Sequence, residues 1–246
     1  MHQDKKQLEV LLLEYFRESY FDFPKGIVAP SESPDFIVSF KNHHLLGIEL
    51  TRLNPWNLAT QTPEQVAETV SRVNIIELTR EIFEKNLPHR LFVKFLFSDK
   101  IKIYESREMI SAIKFSSIIR ERVKNLNYKT FFSISLVQPE LPEELESILI
   151  LNHPELKTSV WERSNNLGVS TNVVEDIRTA IHKKDEKIGL YQKQRLNYYW
   201  LLIFTDRLRG IRNYNLAEKV RNHRFESRFQ HVFLFDLVKS DIYELI

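Results

Sequence analysis

The 246-residue chain contains no cysteine and only five glycines. The absence of cysteine excludes disulfides, thiol catalysis and every cysteine-ligated metal site. The glycines stand far apart in the sequence, whereas a phosphate-cradling loop needs clustered glycines so that backbone amides can approach the ligand. Kinases, P-loop NTPases and dinucleotide-binding enzymes of the Rossmann type are therefore excluded.

Long apolar runs are also missing, and none approaches the roughly 18 residues of a membrane-spanning helix. The first residues, MHQDKKQLEV, are charged and lead directly into an amphipathic pattern, so we expect no signal peptide. The eight histidines show no spacing typical of a zinc site, and we expect them on the surface or in turns. These features predict a soluble, cytoplasmic protein that does not enter a membrane.

Hydrophobic periodicity predicts strands that alternate with helices. Helices are predicted at 5–20, 62–86, 107–124, about 142–150 and 172–196, and strands at 36–40, 44–51, 91–97, 130–137, 198–205 and 231–237. This alternation is typical of an α/β fold, and we expect one domain around a mixed sheet. The hairpin at 36–51 should lie centrally in that sheet, with helix 172–196 packed on it and strand 198–205 beside it.

The predicted hairpin carries two carboxylates at unusual places. Asp35 stands at the start of its first strand and Glu49 near the end of its second. Strand pairing brings such distant residues side by side, and Gly47 leaves room on the second strand for another group to approach. Because magnesium-type ions favour carboxylate oxygens together with water and phosphate, the two residues are candidate ligands for Mg²⁺ or Mn²⁺. The alternative is that Asp35 ends a loop and Glu49 faces solvent.

The order of these elements resembles the PD-(D/E)XK nuclease superfamily. Pro34-Asp35 is similar to its first motif and Glu49-Leu50-Thr51 to its second, and the resemblance covers the first helix, the hairpin and a later helix–strand unit. It implies a restriction-endonuclease-like fold, with a three-layer core, a mixed central sheet flanked by helices, and helical insertions. It also implies hydrolysis of phosphodiester bonds, most simply in DNA, by water that is activated on a metal held by Asp35 and Glu49.

The resemblance also predicts how the chain is organised. Residues 1–246 are expected to form a single nuclease-like domain. Its core is expected at about 5–51, 91–97 and 172–237, with insertions at about 62–88 and 100–170.

Two glutamates of the first helix are further candidate metal ligands. Glu14 and Glu18 lie one helical turn apart. In the superfamily a glutamate of the first helix sometimes completes the metal site, which implies this role for one of them. The alternative for both is an ordinary solvated helix face.

The chain departs from the superfamily pattern at Thr51, where a lysine is expected. A lysine would position the attacking water and offset developing negative charge, which a threonine hydroxyl cannot do. Lys184 falls within the apolar stripe of helix 172–196, and such a lysine needs an anionic partner unless it reaches solvent at the helix end. Relocation of the lysine to the following helix is known in the superfamily, which implies that Lys184 replaces it. Lys187, at the edge of the stripe, is a second candidate, while Lys183 points away.

Basic residues are concentrated between positions 207 and 228. This segment holds seven basic and two acidic residues, a net charge of +5, whereas the whole chain carries only +2. Tyr214 and Phe225 are interleaved with the basic residues, a pattern that suits contact with phosphates and stacking on bases. The alternative is a solvated segment whose rings pack inward. The candidate nucleic-acid contacts are Arg207, Arg209, Arg212, Arg221 and Arg224.

Two functions remain at this point. The first is a metal-dependent nuclease, and Lys184 favours it. Its substrate would be DNA in the first place, with RNA as the alternative. The second is a non-catalytic descendant of the same fold that binds nucleic acid or another protein, and Thr51 favours it. The sequence leaves open whether the protein is catalytically active, which form of substrate it takes and whether it is a homodimer.

Overall fold

The computed structural model describes residues 2–53, 63–98, 100–164, 172–191, 195–206 and 216–246. Within these ranges the α-helices are α1 His2–Ser19, α2 Pro63–Asn86, α3 Glu108–Val123, α4 Val173–Asp185, α5 Ile188–Tyr191 and α6 Leu216–Arg221. The strands are β1 Ile27–Pro30, β2 Phe36–Ser39, β3 Leu45–Arg52, β4 Phe92–Phe97, β5 Phe132–Val137, β6 Leu145–Asn152, β7 Val160–Arg163, β8 Tyr198–Thr205, β9 His231–Asp236 and β10 Asp241–Glu244. A 3₁₀ turn, Glu105–Arg107, precedes α3.

The chain forms two compact units, each with its own mixed sheet. One unit comprises residues 1–11 and 58–165 and contains four strands in the order β5-β6-β4-β7. The other comprises residues 12–57 and 166–246 and contains six strands in the order β1-β2-β3-β8-β9-β10. The fold is therefore α/β, as predicted. The sequence predicts a single domain with strand 91–97 in its core, whereas this strand, β4, belongs to the four-stranded sheet.

The six-stranded sheet is built around the predicted hairpin. Strands β2 and β3 pair antiparallel, with Ile37 opposite Gly47, and the turn between them is completed by His43 at a φ of 64°. β3 pairs in parallel with β8, and β8 pairs in parallel with β9. The apolar run of β8 explains this central position, since a parallel strand is covered on both faces. The predicted place of the hairpin inside a mixed sheet, next to strand 198–205, is confirmed.

Helix α4 packs on this sheet through the predicted apolar stripe. Its Ile177 and Ile181 are buried in the same core as Ile203 of β8. The predicted helix 172–196 is interrupted, however, because α4 ends at Asp185 and the single turn α5 follows after two residues. At the break the Lys187 amide donates to the Lys184 carbonyl at 3.0 Å, a tighter i to i−3 bond that is common at helix ends.

The four-stranded sheet has its own core with α2 and α3. Val93 and Phe95 of β4 are buried together with Phe115 of α3. The predicted short helix near 142–150 is wrong, because β6 lies there and pairs antiparallel with both β4 and β5. Almost every residue of β6 is buried. A strand that is covered on both faces lacks the alternating pattern by which strands are recognised.

Three strands have no counterpart in the prediction. β1, β7 and β10 are each four residues long, which is too short for a periodic pattern to stand out. The remaining predicted helices and strands are present with shifts of a few residues at their ends, and α2 begins at the predicted proline, Pro63. Within the described ranges, no helix has the length and apolar character needed to cross a membrane.

Candidate active site

Asp35 is fixed at the start of β2 by a hydrogen bond to the neighbouring strand. The Leu50 amide of β3 donates to Asp35 Oδ2 at 2.7 Å, which ties this carboxylate to the residue that follows Glu49. The preceding Pro34 packs over Gly47, where a Cβ atom would lie only 2.7 Å from the Pro34 Cγ atom. The Leu196 side chain approaches the same position equally closely, at 2.7 Å, so the absence of a side chain at Gly47 makes room for both Pro34 and Leu196.

Glu49 is a buried carboxylate, only 3% exposed. The Lys184 ammonium donates to Glu49 Oε1 at 2.6 Å and to the Leu50 carbonyl at 3.0 Å. The Lys187 ammonium lies 3.5 Å from the same Glu49 oxygen. The alternative that Glu49 faces solvent is therefore wrong, and so is the alternative that the Lys184 ammonium only reaches for water.

The geometry of α4 explains why this lysine reaches the sheet. Lys184 follows Ile181 by three residues, so it projects from the helix face that packs on the core. Its side chain is 14% exposed, whereas Lys183 lies on the exposed side of the helix. The Lys184 ammonium therefore lies beside Glu49. Its part in catalysis stays a prediction.

Tyr191, at the end of α5, adds a group whose importance the sequence does not indicate. The residue is completely buried, and its hydroxyl has no hydrogen-bond partner of standard geometry among the described residues. Burial raises the pKa of Tyr191 above its usual value of 10.0, and the nearby Glu49 and Asp35 raise that pKa further. Glu49 and Ser33 approach the hydroxyl closely enough to affect its pKa, but neither completes a well-formed hydrogen bond. A buried hydroxyl without a partner costs roughly 1–3 kcal/mol.

The carboxylates of α1 do not join the site. Within the described residues no three Asp, Glu, His or Cys side chains form a group that could hold a metal ion. Glu14 lies 3.5 Å from Arg17 of its own helix, and Glu18 is exposed. The expectation that one of these glutamates is a third ligand is therefore corrected, because both belong to a solvated helix face.

Comparisons with protein-family models, with curated proteins and with solved structures found no match to this chain. Asp35 and Glu49 offer two oxygen ligands, which fit an ion of the Mg²⁺ type because such an ion keeps several waters and takes its remaining ligands from substrate phosphate. The unpartnered Tyr191 hydroxyl is a further polar group beside these carboxylates. Lys184 and Lys187 add two positive charges beside Glu49.

The basic segment is described only in part. The predicted residues that lie outside the described ranges are Arg207, Arg209, Arg212 and Tyr214. Arg221 and Arg224 are exposed, and the Arg221 guanidinium stands 5.1 Å from the centre of the Tyr243 ring. Phe225 is buried in the core of the six-stranded sheet. For this ring the alternative that it packs inward is therefore correct, and the prediction that it stacks on a base is wrong.

Proposed function

We propose that the chain is a metal-dependent nuclease of the PD-(D/E)XK type, and that the unit with the six-stranded sheet has a restriction-endonuclease-like fold. The order of elements supports this fold. Helix α1 is followed by the antiparallel strands β1, β2 and β3, then by α4 and by β8, which runs parallel to β3. This is the helix, hairpin and helix–strand sequence on which the resemblance rests.

The observation that carries the proposal is the place of the Lys184 ammonium. It contacts Glu49 Oε1 and the Leu50 carbonyl, so it lies against the stretch of β3 that leads from Glu49 to Thr51. The missing lysine of the pattern would project from position 51, on the same face of β3 as Glu49. Lys184 thus brings an ammonium from α4 to the region that Thr51 leaves without one.

Each residue has a distinct task in the proposed reaction. Asp35 and Glu49 would hold Mg²⁺ or Mn²⁺, which would supply Lewis-acid charge to the phosphodiester and lower the pKa of a bound water. The Leu50 amide keeps the Asp35 carboxylate in place. Lys184 offsets the negative charge that develops on the phosphate. The Lys187 side chain is 47% exposed, and it can meet a phosphate that arrives from solvent.

DNA is the proposed substrate class. The segment from 207 to 228 carries a net charge of +5 in a chain whose total is +2, and charge of this kind binds the phosphate backbone without regard to base sequence. Arg221 and Arg224 are exposed and available for such contacts.

The proposal is tested by a cleavage assay with Mg²⁺ or Mn²⁺ on linear, nicked, single-stranded and branched DNA. Wild type should cut at least one of these substrates, and Lys184→Ala should be slower by roughly two to three decades. Lys183→Ala is the matched control and should cut like wild type. Thr51→Lys in the Lys184→Ala background should restore part of the activity. Full activity in Lys184→Ala would refute the role of Lys184.

A non-catalytic module that binds nucleic acid or protein is the second candidate. Thr51 favours it, and so does the fact that Glu49 lies within ion-pairing distance of two cations, Lys184 and Lys187. Failure of the wild type to cut any substrate of the panel, with DNA binding retained, would favour this candidate over the nuclease.

A further inference from the structure

The buried Tyr191 hydroxyl lies near Glu49, Asp35 and Ser33, and none of the described residues completes a well-formed hydrogen bond with it. Its ring is held in place, since it stacks on the Tyr199 ring at a centroid distance of 6.3 Å and lies 6.5 Å from the Phe229 ring. The hydroxyl therefore cannot swing to another partner without moving the core. A buried polar group without a well-formed protein partner needs a further partner, such as a water or an ion.

The backbone links Tyr191 to the lysines of the site. The Tyr191 amide donates to the Lys187 carbonyl at 3.4 Å, and the Lys187 amide donates to the Lys184 carbonyl at 3.0 Å. The single turn α5 thus sets the backbone of Tyr191 at a fixed place relative to the backbones of both lysines. Without the break after α4, residue 191 would continue along the axis of α4.

On the basis of the proposed metal site, we propose that the Tyr191 hydroxyl donates its proton to a Glu49 oxygen and accepts a hydrogen bond from a metal-bound water. A hydroxyl has one donor and two acceptor positions, so it can make both bonds at once. Glu49 Oε1 already accepts from Lys184, so Oε2 would be the oxygen available to the tyrosine and to a metal. Tyr191 is then a positioning residue that orients the carboxylate and the water and takes no part in bond making.

Tyr191→Phe tests this inference, because it removes the hydroxyl and keeps the ring. The probe is Mn²⁺ alone, titrated into the full chain while free Mn²⁺ is measured by electron paramagnetic resonance. We expect Mn²⁺ to bind about 10- to 100-fold more weakly to the variant. We also expect the Tm of the metal-free variant to be equal to that of wild type or higher, since the variant no longer buries an unpartnered polar group.

Tyr199→Phe is the matched control. Its hydroxyl donates to the Leu196 carbonyl at 3.1 Å, so its loss should lower the Tm and leave Mn²⁺ affinity unchanged. Equal Mn²⁺ affinity in wild type and Tyr191→Phe would overturn the inference and leave the metal site standing. A lower metal-free Tm with unchanged affinity would assign Tyr191 a structural role instead. No Mn²⁺ binding by the wild type would overturn both the metal site and this inference.

Discussion

Replacement of Lys184 by methionine should destabilise the metal-free protein by about 2–4 kcal/mol. Methionine keeps much of the apolar stem but removes the ammonium 2.6 Å from Glu49 Oε1. Removal of one member of a buried ion pair costs roughly 3–5 kcal/mol, because the other charge stays buried. Lys187 lies 3.5 Å from the same oxygen and retains part of the compensation. That lysine is about half exposed, and an exposed pair contributes only about 0–1 kcal/mol.

A divalent ion should reverse much of this loss, because it supplies positive charge to the same carboxylate. At a hundredfold excess over the dissociation constant, binding stabilises the folded protein by about 2.7 kcal/mol. We therefore expect Mn²⁺ to raise the stability of Lys184→Met at least as much as that of wild type.

Hydrogen exchange of the β3 and β8 amides is the suitable assay, because the two compact units need not unfold together. Lys183→Met is the matched control, and a change at this exposed neighbour should stay within about 0.5 kcal/mol. Glu49→Gln in the Lys184→Met background should recover stability, since it removes the buried charge. Unchanged protection in Lys184→Met, or no recovery in the double variant, would show that the Lys184 ammonium does not compensate the buried charge of Glu49.

Three further results are expected. Gly47→Ala should lower the free energy of unfolding in urea by about 1–3 kcal/mol, because the new Cβ would lie 2.7 Å from the Pro34 ring. Gly189→Ala is the control and should not destabilise the protein, because its Cβ would meet nothing within 4 Å. Burial raises the pKa of Tyr15, so above pH 10.0 the folded protein keeps the Tyr15 proton whereas the unfolded chain loses it. The free energy of unfolding should therefore fall as the pH rises beyond 10.0, and it should fall less steeply in Tyr15→Phe. Arg221→Ala with Arg224→Ala should weaken DNA binding and lower the salt slope of a fluorescence titration by about 2. The loss of stability should stay within about 1 kcal/mol, the contribution of the Arg221 contact with the Tyr243 ring.

The elements that hold the site could be predicted because each carries a strong local pattern. The hairpin has two apolar runs around Asn42, whose side chain accepts from the His44 amide in the turn, and β8 is a continuous apolar run. Lys184 could be placed near the sheet because helical spacing puts it in phase with Ile181. The fold of residues 138–164 could not be predicted, since β6 is buried on both faces and has no alternation.

Features that depend on tertiary contacts could not be predicted from the sequence. The apolar stripe places Tyr191 on the core side of its helix, but periodicity does not tell whether its hydroxyl meets carbon atoms or the Glu49 carboxylate. Glu14 and Glu18 carry the residue type that a metal favours, but helical spacing cannot decide whether their helix turns that face to the site. The division into two units depends on which strands pair, and pairing is a long-range property.

Calorimetric titration with Mg²⁺ is the measurement that tests the metal site most directly. Wild type should bind a single ion, and Asp35→Asn and Glu49→Gln should each lose that binding while remaining folded by circular dichroism. Glu14→Gln should bind like wild type, because Glu14 pairs with Arg17 on its own helix. No binding by the wild type, or equal binding in all four proteins, would contradict a metal site built on Asp35 and Glu49.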